Sequence, residues 1–173
     1  MFKTALLITI VFLLTFCKKE VVQKEAEYDG PRLEFTNIDT KYSDSTKLKI
    51  RLTAPKELEY ETGDQLFPEG LYMEFYDKET GKVTSTLRGK HGKYLKEKDI
   101  YIVTDSVVVK NLEENKKLNS DELVWNPTQK KITSDKFVRI ETPSEILTGD
   151  GLISNEDFSN YQILKPKATI FLD

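Results

Sequence analysis

LYMEFYDKETGKV, at residues 71–83, has the pattern of two β-strands joined by a tight turn. Every second residue from Leu71 to Phe75 is apolar, and a period of two places these side chains on one face of a strand. The polar segment Glu79–Lys82 contains a glycine and has turn chemistry, and Val83 begins a second apolar run. This stretch therefore predicts a β-hairpin.

The same alternation extends along most of the chain and predicts an all-β protein. Alternating runs rich in β-branched and aromatic residues occur near residues 48–52, 100–109, 123–125, 132–140 and 161–171. Polar connections separate them at residues 111–117, 126–129 and 154–160. No segment combines apolar residues at helical spacing with capping residues. We therefore expect antiparallel strands joined by short turns, as in a sandwich, barrel or roll.

Three similar segments recur about 30 residues apart. They are Leu87–Tyr94, Leu118–Trp125 and Leu147–Leu152, and each is followed by a second apolar run. In two of the three units an aspartate, Asp105 or Asp135, is predicted to form a turn. Repeats of this length are typical of arrays in which each unit buries its apolar face against the next.

The N-terminus has the features of an export signal. Residues 1–16 combine a short basic start with an apolar run that is shorter than the ~20 residues of a membrane-spanning helix. The run ends at Cys17, the only cysteine, and Leu14–Cys17 resembles the lipobox at which bacterial lipoproteins are lipidated. An uncleaved membrane anchor with an incidental cysteine is the alternative. Residues 17–31 are predicted to form a lipid-anchored flexible tether, and residues 32–173 the folded domain.

Composition argues against nucleic acid as a partner. The formal net charge is −3, and charged residues of both signs make up 32% of the chain. Binding to phosphates requires a basic surface that can release counterions, and no such bias exists here.

The motifs together resemble the LptC family, a periplasmic component of lipopolysaccharide export built from OstA-like repeats. They are Phe67–Tyr76, Leu87–Tyr94, Leu118–Trp125, Lys131–Asp135 and Leu147–Leu152. The resemblance extends from Lys47 to Ile170. It implies a twisted open β-jellyroll with an apolar groove.

The resemblance also implies partners and a location. Members bind lipopolysaccharide or a related glycolipid, accept it from an inner-membrane ABC transporter, and pass it to a periplasmic OstA-like bridge protein by pairing of β edges. Many members have a transmembrane helix where this chain has Cys17. The resemblance therefore predicts a protein at the periplasmic face of a bacterial membrane, with the inner membrane favoured and the anchor an N-terminal lipid.

The apolar residues that alternation assigns to the interior are the candidates for a lipid-binding groove. They are Leu71, Met73, Phe75, Ile100, Ile102, Val107, Val109, Leu123, Trp125, Ile132, Val138, Ile140, Leu152 and Ile163. Ordinary core packing is the alternative for each of them, and a slip of one residue would exchange the two faces of a strand.

No pattern in the sequence indicates catalysis, a metal or a cofactor. His91 is the only histidine, and no nucleophile motif or phosphate-binding loop occurs. Aspartates 105, 121, 135 and 150 are predicted to hydrogen-bond their own backbone in turns rather than to bind calcium. We therefore expect a non-enzymatic lipid-transport protein. The alternatives are a structural lipoprotein that scaffolds an envelope complex and, less favoured, a hydrolase of envelope polymers.

Overall fold

A computed structural model describes residues 28–172, which form one antiparallel sheet of 11 strands. The strands are β1 (Leu33–Asp44), β2 (Lys47–Glu59), β3 (Gln65–Phe67), β4 (Leu71–Tyr76), β5 (Val83–Gly89), β6 (His91–Leu95), β7 (Ile100–Asn111), β8 (Lys116–Asn126), β9 (Lys131–Glu141), β10 (Glu145–Asn155) and β11 (Tyr161–Phe171). This part of the chain contains no helix, and the prediction of an all-β jellyroll-like fold is confirmed. The predicted signal peptide, Cys17 and most of the predicted tether lie outside the described residues.

The middle of the sheet closes on itself because two long strands change partners along their length. β2 pairs with β4 through Ile50–Thr53 and with β3 through Leu58–Glu59. β7 pairs with β6 through Ile100–Thr104 and with β5 through Val108–Asn111. Since β3 also pairs with β6, and β4 with β5, the strands β2, β4, β5, β7, β6 and β3 form a closed ring of pairings.

The ring leaves two unpaired edges, one at each end of the sheet. Among residues 28–172, β1 pairs only with β2, and β8 to β11 continue in order from β7. β1 and β11 therefore each expose one row of backbone N–H and C=O groups.

Local chemistry explains the hairpin predicted at residues 71–83. The Asp77 carboxylate accepts hydrogen bonds from the backbone N–H and the hydroxyl of Thr80, at 2.7 and 2.8 Å. Gly81 has φ of 66°, a left-handed conformation that glycine adopts without steric cost. The turn that contains Asp77, Thr80 and Gly81 joins β4 to β5 in the predicted place.

The recurring aspartates lie inside strands, so the prediction that they form turns is wrong. Asp105 belongs to β7, Asp121 to β8, Asp135 to β9 and Asp150 to β10. The strand registers shift near all four positions, and Asp105 and its neighbour Ser106 have left-handed backbones. A bulge also needs short polar residues that tolerate this conformation. A polar break in alternation therefore has the same composition whether the strand turns or bulges.

The curved sheet buries apolar side chains between its inner faces. Met73, Leu123, Ile132 and Leu152 have no exposed surface. The ring of Phe75 meets that of Trp125 edge-on, at 5.3 Å between centroids and 85° between planes. Each fully buried side chain of this kind contributes about 1.5–3 kcal/mol, so packing stabilises the fold without any disulfide.

The loop between β10 and β11 covers one end of the interior. Phe158 in this loop is completely buried. The Ser85 hydroxyl donates to the carbonyl of Glu156 at 3.3 Å, and the Asn111 amide donates to that of Asp157 at 3.0 Å. These bonds tie the loop, residues 156–160, to strands β5 and β7.

Candidate functional site on the inner face

Most of the predicted groove residues converge on the inner face of the sheet. The buried ones are Leu71, Met73, Phe75, Val107, Val109, Leu123, Trp125, Ile132, Val138, Ile140 and Leu152. Ile163 is partly buried and packs against them. The inner face is thus a continuous apolar surface that crosses the sheet from β2 to β11.

Ile100 and Ile102 do not join this surface. They are half-buried on the opposite face of β7, while Tyr101 and Val103 point inward with exposures of 4% and 0%. Counting back from Val107 in steps of two leads through the two-residue bulge to Val103 and Tyr101. The sequence therefore contained a signal for the correct face, because a bulge of two residues leaves the alternation unchanged.

Aromatic rings form a chain across the interior. The Tyr101 ring stacks on that of Trp125, at 5.0 Å between centroids, and packs at a tilt of 33° against that of Tyr94, at 4.6 Å. The Trp125 indole N–H donates to the Glu156 carboxylate at 3.3 Å. The centre of the interior is therefore filled by the protein's own side chains.

A hydroxyl pair joins the free strand β1 to the opposite wall. The hydroxyl oxygens of Tyr42 and Tyr101 are 3.0 Å apart. Burial raises the pKa of Tyr101, and the nearby Tyr42 raises it further, so this hydroxyl stays protonated and can donate. The contact holds β1 close to β7 at the edge of the interior.

Beside this contact, the inner face opens to solvent through a cavity of about 250 Å³, which we call the mouth pocket. Its lining consists of Phe35, Ile38, Thr40, Tyr42, Leu52, Glu57, Glu59, Gln65 and Phe67. Phe35 and Tyr42 are 41% and 40% exposed, which is unusual for aromatic side chains on an inner face. Their exposure makes the mouth pocket accessible from solvent.

A kink in β1 and β2 shapes the mouth pocket. Phe35 and Ile38 both line it although they are three residues apart, so the alternation of β1 changes face between them. Asn37 there has a left-handed backbone with φ of 53°. Pro55 lies beside it on β2 between the paired residues 54 and 56, and proline has no N–H to donate to the ladder. The kink places Glu57 of β2 on the inner face, where sequence reasoning did not expect a charge.

The Glu57 carboxylate has an unusual environment. The residue is 7% exposed, and burial, together with the charge of Glu59, raises its pKa. Glu59 forms an ion pair with Arg32. Within residues 28–172, the Glu57 carboxylate forms no hydrogen bond or ion pair. The Glu57 side chain is therefore mostly buried, while its carboxylate has no partner among residues 28–172 and reaches solvent through the mouth pocket.

A second depression, of about 700 Å³, lies at the seam where β2 and β7 change partners. Its lining includes Tyr72 and Arg88 as well as the backbone of Gly89. A Cβ at Gly89 would come within 2.4 Å of the Val103 side chain, which explains the glycine of the Leu-Arg-Gly motif. The aromatic and cationic side chains at this seam project away from the inner face.

The described residues contain no group of three or more His, Cys, Asp or Glu side chains that could hold a metal ion. Among residues 28–172 there is also no helix long and apolar enough to cross a membrane. His91 is exposed, and its Nδ1 lies 3.7 Å from a carboxylate oxygen of Asp105.

Comparison with known proteins identifies the family. The chain matches the family described as lipopolysaccharide-assembly, LptC-related, over residues 3–169. None of the curated proteins matches the chain significantly. LptC-related proteins are transport components rather than enzymes, act with other Lpt proteins on lipopolysaccharide, and are associated with the periplasmic side of the inner membrane. The all-β fold with its repeated hairpins agrees with this match, and the chain belongs to the LptC-related family and has its role in lipopolysaccharide transport.

Proposed function

We propose that the chain binds lipopolysaccharide on its inner face and passes it from an inner-membrane ABC transporter to a periplasmic OstA-like bridge protein. In this proposal the acyl chains enter at the mouth pocket and lie along the apolar surface between the walls. Cys17 carries the lipid that holds the protein at the membrane. The groove candidates whose side chains face inward provide the apolar contacts.

One observation carries the proposal. The apolar inner face continues from β2 to β11, and its accessible part lies along β1, where two aromatic side chains are 40–41% exposed. Apolar surface at such a concave site is typical of ligand sites, because burying it against acyl chains is favourable by about 0.8 kcal/mol per CH₂.

The edges of the sheet support the proposed transfer. Within the described part of the chain, β1 and β11 have no further strand beside them, and a strand of a partner can add to such an edge through main-chain hydrogen bonds. In β11, Pro166 lacks an N–H, so a partner strand pairs with either side of this residue rather than continuously across it.

Photocrosslinking tests the proposal with matched positions. A photoreactive phenylalanine analogue at Phe35 or Tyr42 lies on the inner face, and one at Tyr72 or Phe137 lies on the outer face at similar exposure, 38% and 46%. We expect adducts with lipopolysaccharide in cells at the two inner positions only. Equal yields at all four positions would refute binding on the inner face.

The packing of the interior favours a second candidate, a scaffold that binds no lipid. The Phe75, Trp125 and Tyr101 rings already fill the centre. Native mass spectrometry of the full chain, extracted gently from its envelope, separates the candidates. Bound lipid with the mass of lipid A supports transport, while a ligand-free mass that persists after incubation with lipopolysaccharide supports the scaffold.

A further inference from the structure

The mouth pocket combines one unpartnered acid with two aromatic walls. Glu57 lines it between Phe35 of β1, its partner in register, and Phe67 of β3. The whole residue is 7% exposed, so its carboxylate keeps only the hydration that the mouth pocket admits, and a charge in such a site is usually paired. Since residues 28–172 provide no such partner, the pocket has the chemistry to receive one from a ligand.

The surroundings of Glu57 select a cation. Arg32 neutralises the neighbouring Glu59, so the negative charge of Glu57 is left uncompensated in the pocket. Cations also interact favourably with the faces of phenyl rings. A metal ion fits poorly, because the described residues offer no group of three acidic or histidine ligands. The volume of about 250 Å³ accommodates a small ammonium group with the start of its linker.

We propose that the mouth pocket binds a primary ammonium group carried by a lipid, with Glu57 as the acceptor of its hydrogen bonds. This inference rests on the proposed binding of lipid at the inner face and adds a chemical selection to it. Lipids that enter at β1 present their head groups at the pocket, and a primary ammonium forms both an ion pair and hydrogen bonds there. An amine on a glycolipid sugar and an amine on a phospholipid head group share this chemistry.

The experiment uses the full chain in phosphatidylcholine nanodiscs and lipids with a photoreactive acyl chain. One pair of probes is phosphatidylethanolamine and its N-acetylated form. The other pair is a glycolipid with a free sugar amine and its N-acetylated form. The readout is the yield of adducts mapped to peptides that contain Phe35 or Phe67. The variant Glu57→Gln keeps the size of the side chain, and Glu34→Gln removes an exposed carboxylate that pairs with Lys56.

We expect the free amine to exceed its N-acetylated form by about tenfold in the wild-type chain, as a charge-assisted hydrogen bond predicts. The ratio should fall to about one in Glu57→Gln and stay unchanged in Glu34→Gln. The pair of probes that shows the preference identifies the source of the amine.

Three results would overturn the inference, and they can be told apart. Equal adduct yields for both members of each pair in the wild-type chain would leave lipid binding at the pocket intact and exclude ammonium selection. No adducts at the pocket with any probe would refute both the inference and lipid binding at this site. A preference that survives in Glu57→Gln would also exclude Glu57 as the acceptor.

Discussion

Replacing Phe158 by alanine should destabilise the protein more than replacing an exposed phenylalanine. Phe158 has no exposed surface, and its ring stacks on that of Tyr161 at 5.2 Å between centroids. Its backbone is left-handed, with φ of 54°. Alanine has a Cβ as phenylalanine does, so the substitution leaves this strain in place and the measured change reports packing alone.

The expected cost follows from complete burial. Removing a buried phenylalanine ring costs about 3–5 kcal/mol, because transfer and cavity contributions add. With a urea dependence of about 2 kcal/mol per M, the unfolding midpoint should fall by roughly 1.5–2.5 M. Phe137→Ala is the matched control, since Phe137 is 46% exposed on the outer face and should cost less than about 1 kcal/mol.

Urea unfolding of the full chain in a nonionic detergent measures both variants. Trp125 is the only tryptophan and is 2% exposed, so its fluorescence reports the opening of the interior. A midpoint shift for Phe158→Ala no larger than that for Phe137→Ala would show that the loop of residues 156–160 does not contribute to the core.

Three further predictions concern single groups. Tyr42→Phe removes the hydroxyl that meets Tyr101 and should lower the free energy of unfolding by about 1 kcal/mol in urea titrations; no change would mean that the contact does not hold β1. Burial raises the pKa of the Glu156 carboxyl above its ordinary 4.5, so the folded state binds the carboxyl proton more tightly than the unfolded state does. The wild-type chain therefore loses stability as the pH rises from 4.5 through the raised pKa of the folded state. The urea unfolding midpoint of Glu156→Gln, relative to that of the wild type, should therefore rise between pH 4 and pH 7. A difference that stays constant with pH would contradict the burial argument. Cys17→Ala should abolish incorporation of labelled palmitate in cells, whereas undiminished labelling would exclude Cys17 as the lipidation site.

The fold could be predicted from the sequence because the patterns that predict it are local. Alternation and turn chemistry depend on neighbouring residues, as in the hairpin at residues 71–83, and they place most of the apolar residues on the correct face. The prediction places Ile100 and Ile102 on the wrong face of β7 because it assigns the more hydrophobic residues to the interior. Strict alternation from Val107 places Tyr101 and Val103 there instead. Tyr101 is inside because its ring contacts that of Trp125 on the neighbouring strand β8 and its hydroxyl contacts that of Tyr42 on β1, which is distant in sequence.

The mouth pocket could not be predicted in the same way. It depends on the kink at Asn37 and Pro55, which changes the face of both strands, and on the pairing of β2 with β3. A glutamate between Lys56 and Leu58 is assigned to the surface when alternation is the only guide. Phe158 was missed for a similar reason, since the loop that carries it is polar and is positioned by bonds to β5 and β7.

The closed ring of six strands has a mechanical consequence. A cycle of hydrogen-bonded ladders resists bending because no strand in it can shift without disturbing two neighbours. β8 to β11 form an arm that is joined to this stiff hub by the β7–β8 ladder at its base and by the loop of residues 156–160 at its tip. Separating the walls would leave every strand pairing intact, but it requires the bonds of the tip and the apolar contacts between the walls, such as that of Phe75 with Trp125, to open together.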